Sequence, residues 1–152
     1  VRRRTARDLT GAVRVLGAVH AADGHPSRWP ADPAAWPDPE GTASAWVAAR
    51  DGAVAGHLAV VREPGGRAAV SRFFVAPDAR GRHLGTALLA EAAARAAAED
   101  VALVLDVVAD AAPAIALYER LGWSLVGTRP ADWTTPAGHR PLLRAYRAPR
   151  GT

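Results

Sequence analysis

The 152-residue sequence contains no cysteine, methionine, lysine, asparagine or glutamine. Each absence removes chemistry. Without cysteine there is no thiolate nucleophile, no acyl-cysteine intermediate, no disulfide and no cysteine zinc site. Without lysine there is neither a Schiff base nor the lysine of a nucleotide-triphosphatase phosphate loop. No apolar run approaches the roughly 18 residues of a membrane span. The arginine-rich start, Val1 to Asp8, leads into no signal-type apolar core. A cytoplasmic protein without membrane attachment is the expectation. His20 and His25 are spaced too irregularly for a metal pair, so no metal is expected.

All 19 basic residues are arginine, set against 15 acids for a net charge of +4. They are scattered from residues 2–4 to 140–150, and aromatics do not interleave with them as in an RNA-binding surface. Nucleic-acid binding is therefore the weakest of the functional readings. The excess of Ala, Arg, Gly and Pro is that of a GC-rich coding source. The length suits a single domain, residues 1–152, with one sizeable core.

Residues 1–5 read as a short strand. Leu9, Val13, Leu16 and Val19 then keep helical spacing to about His20. Five prolines and two glycines break up residues 20–41, with room for one turn of helix at Pro33 to Trp36. Asp51-Gly52 marks a two-residue hairpin between strands at 46–49 and 54–61. A turn at Pro64-Gly65-Gly66 leads into a third strand, 68–75. A helix over 84–99, a strand over 101–108 buried on both faces, and a helix over 112–121 follow. Gly122 sits where a helix C-terminal glycine belongs, and strands at 123–127 and 142–147 close the chain. This order predicts an α/β (α+β) domain: a mixed, mostly antiparallel central sheet with helices on both faces.

Residues 75–89, "VAPDARGRHLGTALL", join the third strand to the helix. A glycine-bearing turn at a helix start offers free N–H groups at the positive end of the helix dipole. Arg80 and Arg82 add guanidinium forks suited to phosphate oxygens. The alternative is a plain strand-to-helix turn with solvated arginines. Neither a dinucleotide fingerprint nor a triphosphatase loop fits the Gly81-x-x-x-Gly85 spacing.

This stretch resembles the acetyl-CoA-binding motif of the GNAT N-acetyltransferase superfamily, in which a V-x-P strand end leads into [Q/R]-x-x-G-x-[G/A] and a helix. Arg80 and Gly85 match its ends, and His83 stands at the central glycine. Residues 105–127, "LDVVADAAPAIALYERLGWSLVG", resemble that family's second segment through Leu105, Val107, Ala114, Ile115, Leu117, Tyr118 and Gly122. Trp123 replaces its phenylalanine and Ala111 its cofactor-contacting asparagine. The resemblance spans about residues 44–128.

The resemblance implies the GNAT-type acyl-CoA N-acyltransferase fold and acetyl-CoA as cosubstrate. It implies backbone pairing of the pantetheine arm with Phe73, Phe74 and Val75, as a strand added to an opened sheet. It places the pyrophosphate on the amides of Arg80, Gly81, Arg82, His83, Leu84, Gly85 and Thr86. Tyr118 falls on the tyrosine near the cofactor sulfur, where a phenol can protonate or hydrogen-bond the departing thiolate. An amide near Val75 would face the thioester oxygen. With no cysteine, an acetyl-cysteine intermediate is excluded, and direct attack by the amine in a ternary complex is the expected mechanism. The base is open among Ser71, Glu63, His57 and Asp106, with a water chain alone as the alternative for partly free amines. Acceptor contacts are expected from His25, Arg28, Trp29, Trp133 and His139 in the irregular segments. The implied activity is N-acetylation of a small-molecule or peptide amine, and homodimers are common in the family. The alternative is a non-catalytic acyl-CoA sensor on the same fold, which the alanine at position 111 favours.

Overall fold

The computed structural model describes residues 1–24, 26 and 29–149. Its elements run β1 (Arg2–Arg3), α1 (Asp8–Asp23), β2 (Thr42–Arg50), β3 (Ala53–Arg62), β4 (Ala68–Val75), α2 (Leu84–Ala98), β5 (Leu103–Val108), α3 (Ala112–Arg120), β6 (Ser124–Pro130) and β7 (Leu142–Arg147). One seven-stranded sheet orders them β1-β2-β3-β4-β5-β7-β6. Only the β4–β5 pair is parallel, joined through α2 as a crossover helix.

The local chemistry explains most boundaries. Asp51 and Gly52 both take positive φ, 53° and 78°, the geometry of the tight hairpin between β2 and β3. Gly24 caps α1 in the left-handed region, its N–H on the His20 carbonyl. Asp8 opens α1. It accepts from both Arg2 guanidinium nitrogens at 2.8 and 2.9 Å and from the Thr5 N–H at 2.7 Å, tying β1 to the helix. Residues 32–36 form a single turn, with the Trp36 N–H on the Asp32 carbonyl, but no helix; the surrounding prolines lack the donors to extend it.

Two apolar clusters pack against opposite faces of the sheet. On one face Ala12, Val15, Leu16 and Val19 of α1 meet Ala55, Phe74 and Ala76. On the other, Leu88, Leu89, Ala92 and Ala96 of α2 and Ile115 and Tyr118 of α3 meet Trp46, Leu58, Val60, Leu103, Leu105 and Val107. Helices on both faces are thus as expected.

β5 differs from its expectation of burial on both faces. Leu103, Leu105 and Val107 are buried, whereas Asp106 between them is exposed. The reason is coverage: α1 packs chiefly on β3 and β4. The even-numbered side chains of β5 are consequently less covered than the odd-numbered ones, Val104 and Val108 half-buried and Asp106 exposed.

Candidate active site

β4 and β5 share register only at Ala68–Leu103 and Ala69–Val104. Beyond that point each keeps its outer partner, β4 pairing β3 as far as Val75 and β5 pairing β7 as far as Val108. The sheet is therefore split, and the facing edges of residues 70–75 and 105–108 are left without each other's hydrogen bonds. Backbone groups at such an edge demand partners. The Ala76 N–H donates to the Ala55 carbonyl at 2.7 Å. Because successive residues in a strand point their amides to opposite sides, the Val75 amide faces the split.

A bulge sharpens the geometry. His57 pairs Phe74 while Ala59 pairs Ser71, so one extra residue sits in β4. Arg72 takes it up with φ 52°. The insertion changes the phase of the strand: Ala68 and Val70 side with α2 before it, while Phe74 and Ala76 side with α1 after it. The doubled Phe73-Phe74 consequently serves both faces. The Arg72 carbonyl, displaced from the ladder, lies 2.8 Å from Nδ1 of the fully buried His57, whose Nε2 is 3.0 Å from Arg4 Nη1. A guanidinium only donates, so Nε2 accepts and the Nδ1–H donates to Arg72. His57 also stacks on Phe74, with ring centroids 5.2 Å apart.

At the mouth of the split the chain turns into α2 through two left-handed residues, Gly81 (φ 79°) and His83 (φ 62°). Left-handed residues at a helix start gather amides into a concavity suited to an anion. Histidine bears the strain that the motif's glycine would have avoided, and its ring is exposed and caps nothing. Gly85 sits close under this turn: a Cβ there would lie 3.2 Å from the Phe73 ring and 3.7 Å from Val75 Cγ2. Its bareness lets α2 approach the open strand.

Phe73, Phe74, Val75 and the turn from Arg80 to Thr86 thus come together at the mouth of the split. The Arg80 guanidinium, however, is drawn backwards. It pairs with Asp23 at the end of α1 and reaches the Val75 carbonyl at 3.4 Å. Arg82 makes no hydrogen bond or ion pair among the described residues and is exposed.

Tyr118 packs in the α2–α3 cluster beside Trp123 and Tyr146, with ring centroids 6.1 Å away in each case. It is 7% exposed, and burial pushes its pKa up to about 12. Its hydroxyl has no partner among the described residues, and no fully buried side-chain polar atom there is unsatisfied. That oxygen therefore keeps access to the outside of the core.

The remaining candidates separate. Asp106 is held by both Arg129 nitrogens, at 3.0 and 2.5 Å, and Glu63 by Arg67 at 2.8 Å. His57 is buried in its bulge contact, and Ser71 is half-buried on β4. None of the named carboxylates is a free base. Trp29 packs beside His20 at 5.2 Å yet stays 43% exposed, and Trp133 in the β6–β7 loop is 41% exposed. No ring contact joins them. His139 closes the same loop, its N–H on Thr135 Oγ1 at 3.1 Å. His25 and Arg28 lie outside the described residues. The sequence reading did not single out Arg72 or Arg4. The back-to-back phenylalanines were the available sign of a phase change in the strand.

Among the described residues no three His, Cys, Asp or Glu side chains gather as a metal site, and no helix is long and apolar enough to cross a membrane.

A sheet split at a parallel pair, with a left-handed turn opening the crossover helix, defines the acyl-CoA N-acyltransferase type of fold. The chain belongs to the acetyltransferase (GNAT) family, whose model matches residues 16–123. It is similar to the ribosomal-protein-S18-alanine N-acetyltransferase of Escherichia coli at 25% identity and TM-score 0.77, over 99% of this chain and 92% of that one. It is likewise similar to a GCN5-related N-acetyltransferase from Kribbella flavida at 27% identity and TM-score 0.75, over 97% and 95%. The ribosomal-protein-alanine N-acetyltransferase of Brucella melitensis shares the fold at 24% identity and TM-score 0.78, over 96% of both chains. No curated protein matches the sequence.

Proposed function

We propose that the chain, as one domain, transfers an acetyl group from acetyl-CoA directly to a primary amine of a small molecule or peptide, within a ternary complex. The split between β4 and β5 carries this reading, because it leaves a strand edge and an anion-suited turn in line. In the proposal, the backbone of Phe73 to Val75 holds the pantetheine arm and the amides from Arg80 to Thr86 hold the pyrophosphate. Acetyl-CoA supplies the activated acyl group. The neutral amine forms the C–N bond to the thioester carbon, the Val75 amide steadies the developing oxygen charge, and the C–S bond breaks.

Tyr118 is assigned to the departing thiolate. With a pKa near 12 it is a weaker acid than an ordinary phenol. Its contribution is then a hydrogen bond to the sulfur, with the proton shed by the amine leaving to water. A water relay also fits the absence of a free carboxylate among the named candidates. The acceptor is assigned to the segment that follows α1 in sequence, with His25, Arg28 and Trp29, and to the β6–β7 loop with Trp133. A second reading, acyl-CoA binding without transfer, draws on Ala111 and on the same pairing of the candidate bases. Thiol release from acetyl-CoA across a panel of amines separates the two. Amine-dependent release supports transfer, whereas tight acetyl-CoA binding with no release on any amine supports the sensor.

A further inference from the structure

We propose that the acceptor carries a carboxylate near its amine and that Arg72 binds it. This deepens the acetyl-transfer reading and rests on it.

Arg72 is fixed before any ligand arrives. Its backbone is held left-handed at the bulge, its Nε donates to the Trp36 carbonyl at 2.9 Å, and its guanidinium carbon sits 4.1 Å from the centre of the Trp36 ring. These contacts use one of its donors. Nη1 and Nη2 make no hydrogen bond or ion pair among the described residues. The group is also half-buried, enough for burial to lower its pKa. A partly desolvated cation without an anion is costly to keep. Those two nitrogens are free to hold a carboxylate in a forked pair.

The neighbouring acids are occupied. Asp38, whose charge is felt at His57, is paired with Arg4, which also donates to the Pro37 carbonyl at 2.7 Å. Asp8 serves Arg2, and Asp106 serves Arg129 on the far side of the split. The position is right as well. Arg72 lies midway along the open part of β4, on the face that α1 covers chiefly at β3 and β4. The other face is filled by α2 and α3. An acceptor therefore approaches from the Arg72 side, and an anionic group on it meets the free guanidinium nitrogens. An aromatic wall at Trp36 and the fixed fork together favour a planar anion over a neutral group.

The test compares alanine, phenylalanine and glutamate with their α-amides as acceptors, by thiol release at saturating acetyl-CoA. Rates are corrected for the fraction of neutral amine. The acids are expected to exceed the amides by about ten- to hundredfold in kcat/KM, mainly through KM. Arg72→Gln should erase the preference without changing acetyl-CoA affinity, and Arg72→Lys, which keeps the charge but not the fork, should retain part of it. Equal use of acids and amides overturns the proposal, as does an unchanged preference in a folded Arg72→Gln protein. If that variant does not fold, a full preference in Arg72→Lys counts against the fork. If no amine releases thiol, acetyl transfer itself falls and binding still judges Arg72. N-acetylalanine titrated with CoA present should then bind at least tenfold more tightly than its amide, and equal binding overturns the proposal.

Discussion

His57 Nδ1 donates to the carbonyl oxygen of Arg72 across 2.8 Å, a bond that the neutral and the protonated ring can both make. Its other nitrogen accepts from Arg4 at 3.0 Å, so a proton there would set donor against donor. Burial, together with the nearby Arg4 charge, lowers the His57 pKa to about 4 from an ordinary 6.5. The bulge that opens β4 toward the split is thus braced by a histidine that must stay uncharged.

The pH consequence has a definite sign. The unfolded chain takes up a proton near pH 6.5 and the folded one only near pH 4. His57 therefore costs no stability above pH 6.5 and destabilises progressively as pH falls to 4, by up to about 3 kcal/mol. Urea unfolding between pH 7 and 4 should show this loss. His57→Gln, which can accept from Arg4 and donate to Arg72, should flatten that window.

The left-handed His83 predicts an unusual substitution order. His83→Gly should leave stability within about 1 kcal/mol of the wild type, relief of strain offsetting the looser unfolded chain. His83→Val should cost about 1–2 kcal/mol, because a branched side chain resists φ near 60°. Thermal unfolding of both variants checks the order, and acetyl-CoA titration should find affinity kept only in the glycine variant.

Gly85 holds the turn against β4. In Gly85→Val the Cβ alone would stand 3.2 Å from the Phe73 ring, with two methyls beyond it. The turn should lift from the strand, weakening acetyl-CoA binding at least tenfold by calorimetry, or about 1.4 kcal/mol. Far-ultraviolet circular dichroism should remain that of the wild type.

Tyr118→Phe should slow turnover at least tenfold with acetyl-CoA affinity nearly intact. The raised pKa adds a pH signature. A phenol titrating near 12 stays protonated through the assay range, so kcat/KM should climb with pH as the amine becomes neutral. No falling limb is expected below about pH 10. Undiminished turnover in the phenylalanine variant would remove Tyr118 from the reaction.

Much of this was legible in the sequence, because local rules decide it. Asp51-Gly52 fixes its hairpin through positive φ, and Gly122 ends α3, whereas α1 runs past His20 to Asp23 before Gly24 stops it. The V-x-P strand end and Gly85 mark the turn between β4 and α2. What was hidden depends on partners distant in sequence. Arg72 is defined by Trp36 and His57, and the rearward pull on Arg80 by Asp23. The one-sided burial of β5 reflects where α1 packs, which no periodicity within β5 encodes. Asp106 could be named as a base from its strand, but Arg129, which occupies it, lies 23 residues away.

The central claim is direct transfer from acetyl-CoA to an amine bound beside it. Initial rates with acetyl-CoA and one accepted amine both varied test it most directly. Double-reciprocal lines that intersect are predicted, as for a ternary complex. Parallel lines, the mark of an acyl-enzyme formed with release of CoA before the amine binds, would contradict it.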